Sequence, residues 1–338
     1  MLVVLVFMLG SCSDQFNPNL PGKSSPVVYG VLNPADSVYR VRLTKTFIGE
    51  GNAFEYAKEA DSLYYSDARV WMETRTKEGA IIQRADMQRT VIEERKPGIF
   101  ATQPNVVYEL SEDVFTLKPA GIEELGFPYQ VYLHLFAEIP GSDEPLHASS
   151  KLQLPPTITQ PRFTFYKVYL YSQEPFYMEW INTVMGNMYE ISVTLNYREV
   201  REDGEHDQTV SWVLSGIQYN EVSVPGGSRY FYSYYFRPEN FYAQVAANIK
   251  RDNKVSGRVA KTLDFEVLSS DQHMRNYRDV YRITDDYRGQ GYTNVENGLG
   301  IFTTYTKAGI YGLRLGPQEL DSLARGRYTR HLNFLPWD

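Results

Sequence analysis

Short runs in which apolar and polar residues alternate, broken at close intervals by Gly, Pro, Asn and Asp, dominate this chain. Val38-Tyr39-Arg40-Val41-Arg42-Leu43 is representative. On an extended backbone successive side chains point to opposite faces, so such a run sets one face on a core and the other in water. Similar runs occur at Val27 to Leu32, Ala68 to Glu73, Val106 to Leu110, Tyr129 to Leu135 and His147 to Leu154. The pattern resumes at Phe163 to Tyr171, Tyr177 to Ile181, Tyr189 to Val200 and Thr209 to Leu214, with an Asp203-Gly204 hairpin turn between the last two. Many short strands with turn signals between them indicate β-sandwiches rather than an α/β fold.

Helix signals are few. Ala53 to Tyr65 is rich in Ala, Glu and Lys. Pro238 to Lys250 opens with Pro and spaces Phe241, Val245 and Ile249 four apart, and Pro317 to Arg325 opens the same way and ends at Gly326. At 338 residues the chain exceeds what one core usually holds. Leu154-Pro155-Pro156-Thr157-Ile158-Thr159-Gln160-Pro161 is the natural boundary, because three prolines stiffen it and block a continuing sheet. The expected fold is mainly β: an Ig-like sandwich over 27–158 and a second β-sandwich-like domain over 159–338, with two or three short helices in all.

The amino terminus carries a different signal. Leu2 to Leu9 is apolar but too short to span a bilayer, which takes about 20 residues. It has the size of a signal-peptide core, and Leu9-Gly10-Ser11-Cys12 resembles the lipobox of bacterial lipoproteins. That resemblance implies cleavage after residue 11, acyl chains on Cys12 and membrane attachment, since two or three chains hold where one is marginal. Residues 12–26 would then be a lipidated cysteine and a flexible Asn-, Pro- and Ser-rich tether. Cys12 is the only cysteine, so no intrachain disulfide can form. The competing reading of Met1 to Cys12, a buried strand with a buried thiol, fits poorly with the polar Ser13-Asp14-Gln15 that follows.

Chemistry-bearing motifs are scarce. With 34 basic against 41 acidic residues the net charge is −7, which argues against nucleic-acid binding. The five histidines, His134, His147, His206, His273 and His331, include no pair at metal-ligand spacing, and thiolates are absent, so neither a metal nor a cofactor is expected. No nucleophile elbow, P-loop or dinucleotide fingerprint is present. His134 sits in an alternating strand and reads as a satisfied structural residue. His206, beside Glu205 and Asp207, reads as a solvated hairpin tip. Asp143-Glu144, Glu202-Asp203 and Asp285-Asp286 are adjacent carboxylates, and sequence neighbours on a strand face apart instead of across a bond.

The 27 tyrosines are the compositional outlier. In Tyr230-Phe231-Tyr232-Ser233-Tyr234-Tyr235-Phe236 a strand would place Tyr230, Tyr232, Tyr234 and Phe236 on one face. That face suits either a core or an exposed platform for sugar or peptide recognition, with Tyr230, Tyr232 and Tyr234 as its candidate contacts.

Several segments together resemble an uncharacterised family of Bacteroidetes outer-membrane lipoproteins. They are Leu9-Gly10-Ser11-Cys12, Val28-Tyr29-Gly30-Val31-Leu32-Asn33-Pro34, Asp67-Ala68-Arg69-Val70 and Asn294-Val295-Glu296-Asn297-Gly298-Leu299-Gly300-Ile301-Phe302. The resemblance spans nearly the whole chain, and its motifs are turns and strand starts. It implies an outer-membrane lipoprotein often encoded beside TonB-dependent receptors. The expected function is a non-enzymatic binding or accessory role, with such a receptor as partner in nutrient uptake. A glycan- or peptide-binding surface protein acting alone is the second expectation, and a carboxylate-dependent hydrolase the third.

Overall fold

A computed structural model of the chain describes residues 24–46, 53–93, 102–117, 131–161, 167–171, 176–182, 186–214, 218–224, 227–283 and 291–336. Cys12, Asp285-Asp286 and the side chain of Tyr230 lie outside the described residues.

The first half contains β1 (Pro26–Leu32), β2 (Val38–Lys45), two four-residue helices α1 (Ala53–Tyr56) and α2 (Ala60–Leu63), β3 (Arg69–Thr76) and β4 (Ile81–Asp86). It continues with β5 (Gln88–Ile92), β6 (Asn105–Ser111), β7 (Val131–Glu138) and β8 (Leu146–Lys151). The alternation seen in the sequence is realised in β7, where Val131, Leu133, Leu135 and Ala137 are buried and the residues between them are not. Two sheets face each other, β1-β2-β6-β5 and β4-β3-β7-β8. Lettered in chain order these are A-B-E-D and C′-C-F-G, the immunoglobulin arrangement. Val28, Tyr39, Val41 and Tyr108 from one sheet meet Val70, Met72, Leu133 and Leu135 from the other. Only Met87 separates β4 from β5, so one stretch of chain crosses from sheet to sheet there.

The second half contains β9 (Thr157–Gln160), β10 (Lys167–Val168), β11 (Tyr177–Asn182), β12 (Met188–Arg201), β13 (Gly204–Leu214), β14 (Gln218–Val224) and β15 (Gly227–Tyr235). Then follow α3 (Pro238–Asn248), β16 (Val255–Ser270), α4 (Gln272–Ile283), β17 (Val295–Glu296), β18 (Leu299–Leu315) and α5 (Pro317–Arg325). A sheet ordered β13-β12-β16-β18 and a second ordered β14-β15-β11-β9 enclose the second core with α3 and α5. The strand-by-strand reading of the sequence passed over α4, although Met274, Tyr277 and Tyr281 recur in it at helical spacing. A second signal is Asp271, whose carboxylate accepts the backbone N–H groups of His273 and Met274 at 3.0 and 3.2 Å as an N-cap.

The chain does not divide cleanly at 158/159. Residues expected in the second domain complete the first: β17 pairs with β8, and the start of β18 pairs in parallel with β1. Val295 and Phe302 are buried in the first core. These additions cover the A and G edges, whose backbone groups would otherwise be unpaired. The turn between them needs special backbone. Asn297 has φ 56° and Gly300 φ 107°, and a Cβ on Gly300 would lie 1.9 Å from the Val28 carbonyl oxygen. Asn294 braces the turn by donating to the Phe302 carbonyl at 2.7 Å and accepting from its N–H at 3.0 Å.

Because β18 belongs to both sandwiches, one sheet of nine strands runs through the molecule. A buried polar seam lies where the domains meet. Thr304 donates to the Lys151 carbonyl at 3.0 Å, Thr306 to that of Leu154 at 3.0 Å, and Ser270 to that of Thr304 at 2.7 Å.

Candidate functional site

The tyrosine strand is core. Tyr232 and Tyr234 are 5 % and 8 % exposed within the second core. Tyr232 lies 5.7 Å from Trp180 and 4.0 Å from Tyr189, ring centre to ring centre, and Tyr234 stands edge-on to Phe236 at 4.9 Å. They are therefore packing residues and not a recognition platform: β15 pairs with β11 and β14, and this face covers β12 and β16, where aromatic area is most stabilising. The opposite face exposes Tyr235, stacked on Tyr177 at 5.3 Å.

Among the described residues, two clefts lie elsewhere, at the end of the Ig-like domain that carries its B–C, D–E and F–G connections. The registers define this end: Pro26 pairs with Lys45, Ile92 with Asn105, Arg69 with Glu138 and Ala137 with Leu146. A cleft of about 430 Å³ opens there, lined by Lys45, Tyr64, Tyr65, Asp67, Arg89 and Pro104. A second, more open one of about 710 Å³ adjoins it through Tyr65 and Pro140 and is bounded by Ser24, Ser142, Glu144 and Asn297. The Lys45 ammonium stands 5.7 Å from the centre of the Tyr65 ring. Burial pushes the Tyr65 hydroxyl pKa up, and a hydrogen bond with Ser24 partly offsets it. Ser66 donates to the Asp67 carboxylate at 2.7 Å. Cations, carboxylate and hydroxyls around two tyrosine rings and two prolines suit a small polar ligand or a protruding loop more than a greasy one.

Sequence reasoning did not single out Lys45, Tyr65 or Arg89, because they come from a strand end, an inter-strand loop and a sheet-crossing strand. The only trace was the turn chemistry of Ser66-Asp67 and Gly141-Ser142-Asp143. Asp143 and Glu144, noted as adjacent carboxylates, sit together on the F–G loop at the cleft rim, and Glu144 accepts from the Asn297 amide at 3.2 Å. They share one loop and do not face each other across a gap. Glu202-Asp203 lies on the hairpin between β12 and β13, where Asp203 contacts His206 at 3.0 Å. The neighbouring Asp207 is held well below the usual carboxylate range by Arg198 and then Lys261.

A second constellation lies on the outward face of the C′-C-F-G sheet. Trp71, Phe136, His147 and His134 form a column of near-parallel rings with centres 5.1, 4.7 and 5.2 Å apart. The Arg84 guanidinium caps it 4.8 Å from Trp71. Glu73, buried beneath, accepts from the Trp71 indole at 3.1 Å and pairs with Arg75 and Arg84. At the other end a relay runs His134 Nδ1 to His147 Nε2 at 2.9 Å and His147 Nδ1 to Glu296 at 2.9 Å. Burial, then the neighbouring His147 and Arg75, lower the His134 pKa to about 4. His134 is thus hydrogen-bonded within the sheet, and every member of the column has a partner in the fold.

Among the described residues no group of His, Cys, Asp and Glu is arranged to hold a metal ion, and no helix is long and apolar enough to cross a membrane. No family model matches the chain, and no curated protein matches it.

Proposed function

We propose that this chain is a non-enzymatic, lipid-anchored outer-membrane protein that binds at the loop end of its Ig-like domain and serves as an accessory component of a TonB-dependent receptor in nutrient uptake. The observation that carries the binding role is the pair of adjoining clefts at the loop end of the Ig-like domain, which gather Lys45, Tyr65, Arg89 and Glu144 from separate strands and loops of one sandwich. The lipobox-like Leu9-Gly10-Ser11-Cys12 supports the anchor and the family resemblance supports the receptor. Replacing Cys12 by Ala is expected to move the protein from the membrane to the soluble fraction. Purification from native membranes is expected to recover a large β-barrel receptor with the wild type, and recovery of the protein alone would overturn the partnership.

The two tyrosines and mixed charges of the smaller cleft also favour capture of a glycan or peptide by the protein acting alone. A ligand array distinguishes the two. Binding by the wild type that Tyr65→Ala abolishes would favour the independent role, whereas no binding by either protein removes it.

A further inference from the structure

The two ends of the molecule are unequal with respect to its amino terminus. β1 begins at the loop end, where Pro26 pairs with Lys45, and Ser24 and Ser25 line the larger cleft. Ser24, twelve residues on from Cys12 in the sequence, therefore stands at the cleft rim. Twelve residues reach at most about 40 Å even when fully extended. β18 also starts at this end, with Leu299 beside Val27, and its parallel pairing with β1 means that it runs away from it. Past the seam it pairs with β16, Tyr305 opposite Ser270 and Leu313 opposite Leu263. β16 in turn carries β12 outward, from Met188 opposite Ser270 to Arg201 opposite Val255. At roughly 3.3 Å per residue, an eight-residue strand of the first domain followed by fourteen residues of β12 puts the turn after Arg201 at most about 70 Å from the loop end. That turn carries Glu202, Asp203 and Glu205, all exposed.

From this topology we infer that the loop end of the Ig-like domain is the bilayer-facing pole, its clefts turned to a protein partner embedded in the same membrane, and that the acidic hairpin tip is the pole displayed farthest out. The inference rests on the reading of Cys12 as the lipid-bearing residue and adds a direction to it. The partner is protein and not lipid because the cleft walls carry serine hydroxyls and charges of both signs, and none of the exposed large apolar residues lines them.

The test uses the full-length protein purified from membranes and reconstituted in phosphatidylethanolamine–phosphatidylglycerol vesicles. Acylation leaves Cys12 without a free thiol, so a second cysteine takes a fluorescent donor uniquely: Asp143→Cys at the F–G loop or Glu202→Cys at the hairpin. With an acceptor on the lipid headgroups, the Asp143 site is expected to show at least about twofold more energy transfer than the Glu202 site, since it lies at the end nearest Ser24 and the Glu202 turn lies two strand lengths beyond it. Equal transfer, or more from Glu202, with Cys12 shown by mass spectrometry to be acylated, overturns the orientation and leaves the anchor standing. An unmodified Cys12 overturns both.

Discussion

Thr303 donates its hydroxyl to the carboxylate of Asp271 at 2.6 Å, across the seam between the two sandwiches. The same carboxylate accepts from Ser150 of β8 at 2.8 Å and caps α4, so one buried acid joins the Ig-like sheet, the shared strand β18 and the helix. Removing it leaves two buried hydroxyls and a helix start without their acceptor. Asp271→Ala is expected to cost about 3 kcal/mol, from the lost cap and the stranded donors. Thr303→Val should cost only about 1 kcal/mol. Urea unfolding checks both, and equal midpoints for wild type and Asp271→Ala would show that the seam does not hold the domains.

Gly300 has no room for a side chain. Its φ of 107° is unfavourable for L-residues, and the added carbon would meet the Val28 carbonyl oxygen at 1.9 Å. Gly300→Ala must push β18 away from β1 and is expected to lose more than about 3 kcal/mol. At Gly79 φ is also positive, 91°, but no atom lies within 4 Å of the added carbon. Gly79→Ala should therefore cost only about 1 kcal/mol of backbone strain. Thermal melts of the two variants separate clash from strain.

Tyr232 and Tyr235 lie three residues apart on one strand and face opposite ways. Tyr232→Ala empties a site in the second core and should cost about 3–5 kcal/mol, whereas Tyr235→Ala, at a position 46 % exposed, should stay within about 0.5 kcal/mol. Chemical denaturation measures the contrast. A Tyr232→Ala protein as stable as the wild type would return that residue to the recognition role its sequence allowed.

His134 makes stability depend on pH. Its folded pKa, lowered to about 4 from 6.5, means that the unfolded chain binds the proton more readily. Stability is therefore full above pH 6.5 and falls as the pH drops toward 4, by roughly 3 kcal/mol. His134→Gln, which keeps a hydrogen-bonding group toward His147, should flatten the curve over that window. Unfolding midpoints taken from pH 4 to 7 provide the check, and parallel curves for the two proteins would contradict it.

Much of the fold was legible because β-structure writes its period into neighbouring residues. Val38 to Leu43 and Val131 to Ala137 alternate, and the structure buries the apolar set in each case. Turn chemistry was equally local. Asn297-Gly298 and Gly300 announced a tight corner, since only such residues accept its backbone angles. Pro238 and Pro317 marked helix starts that the structure confirms. The cleft was not legible. Lys45, Tyr65, Arg89 and Pro140 are far apart in the chain, and nothing in their own neighbourhoods records that three loops end on one side of a sandwich.

Local composition thus specified strands, corners and the β class, because those depend on steric preferences within a few residues. Which faces became cores, and which strand met β1, depended on long-range pairing. Tyr232 and Tyr235 have the same side chain, and only the sheets packed around β15 made one interior and the other surface. The parallel docking of β18 on β1 was decided in the same way, because an open sheet edge accepts whichever strand the rest of the fold delivers to it.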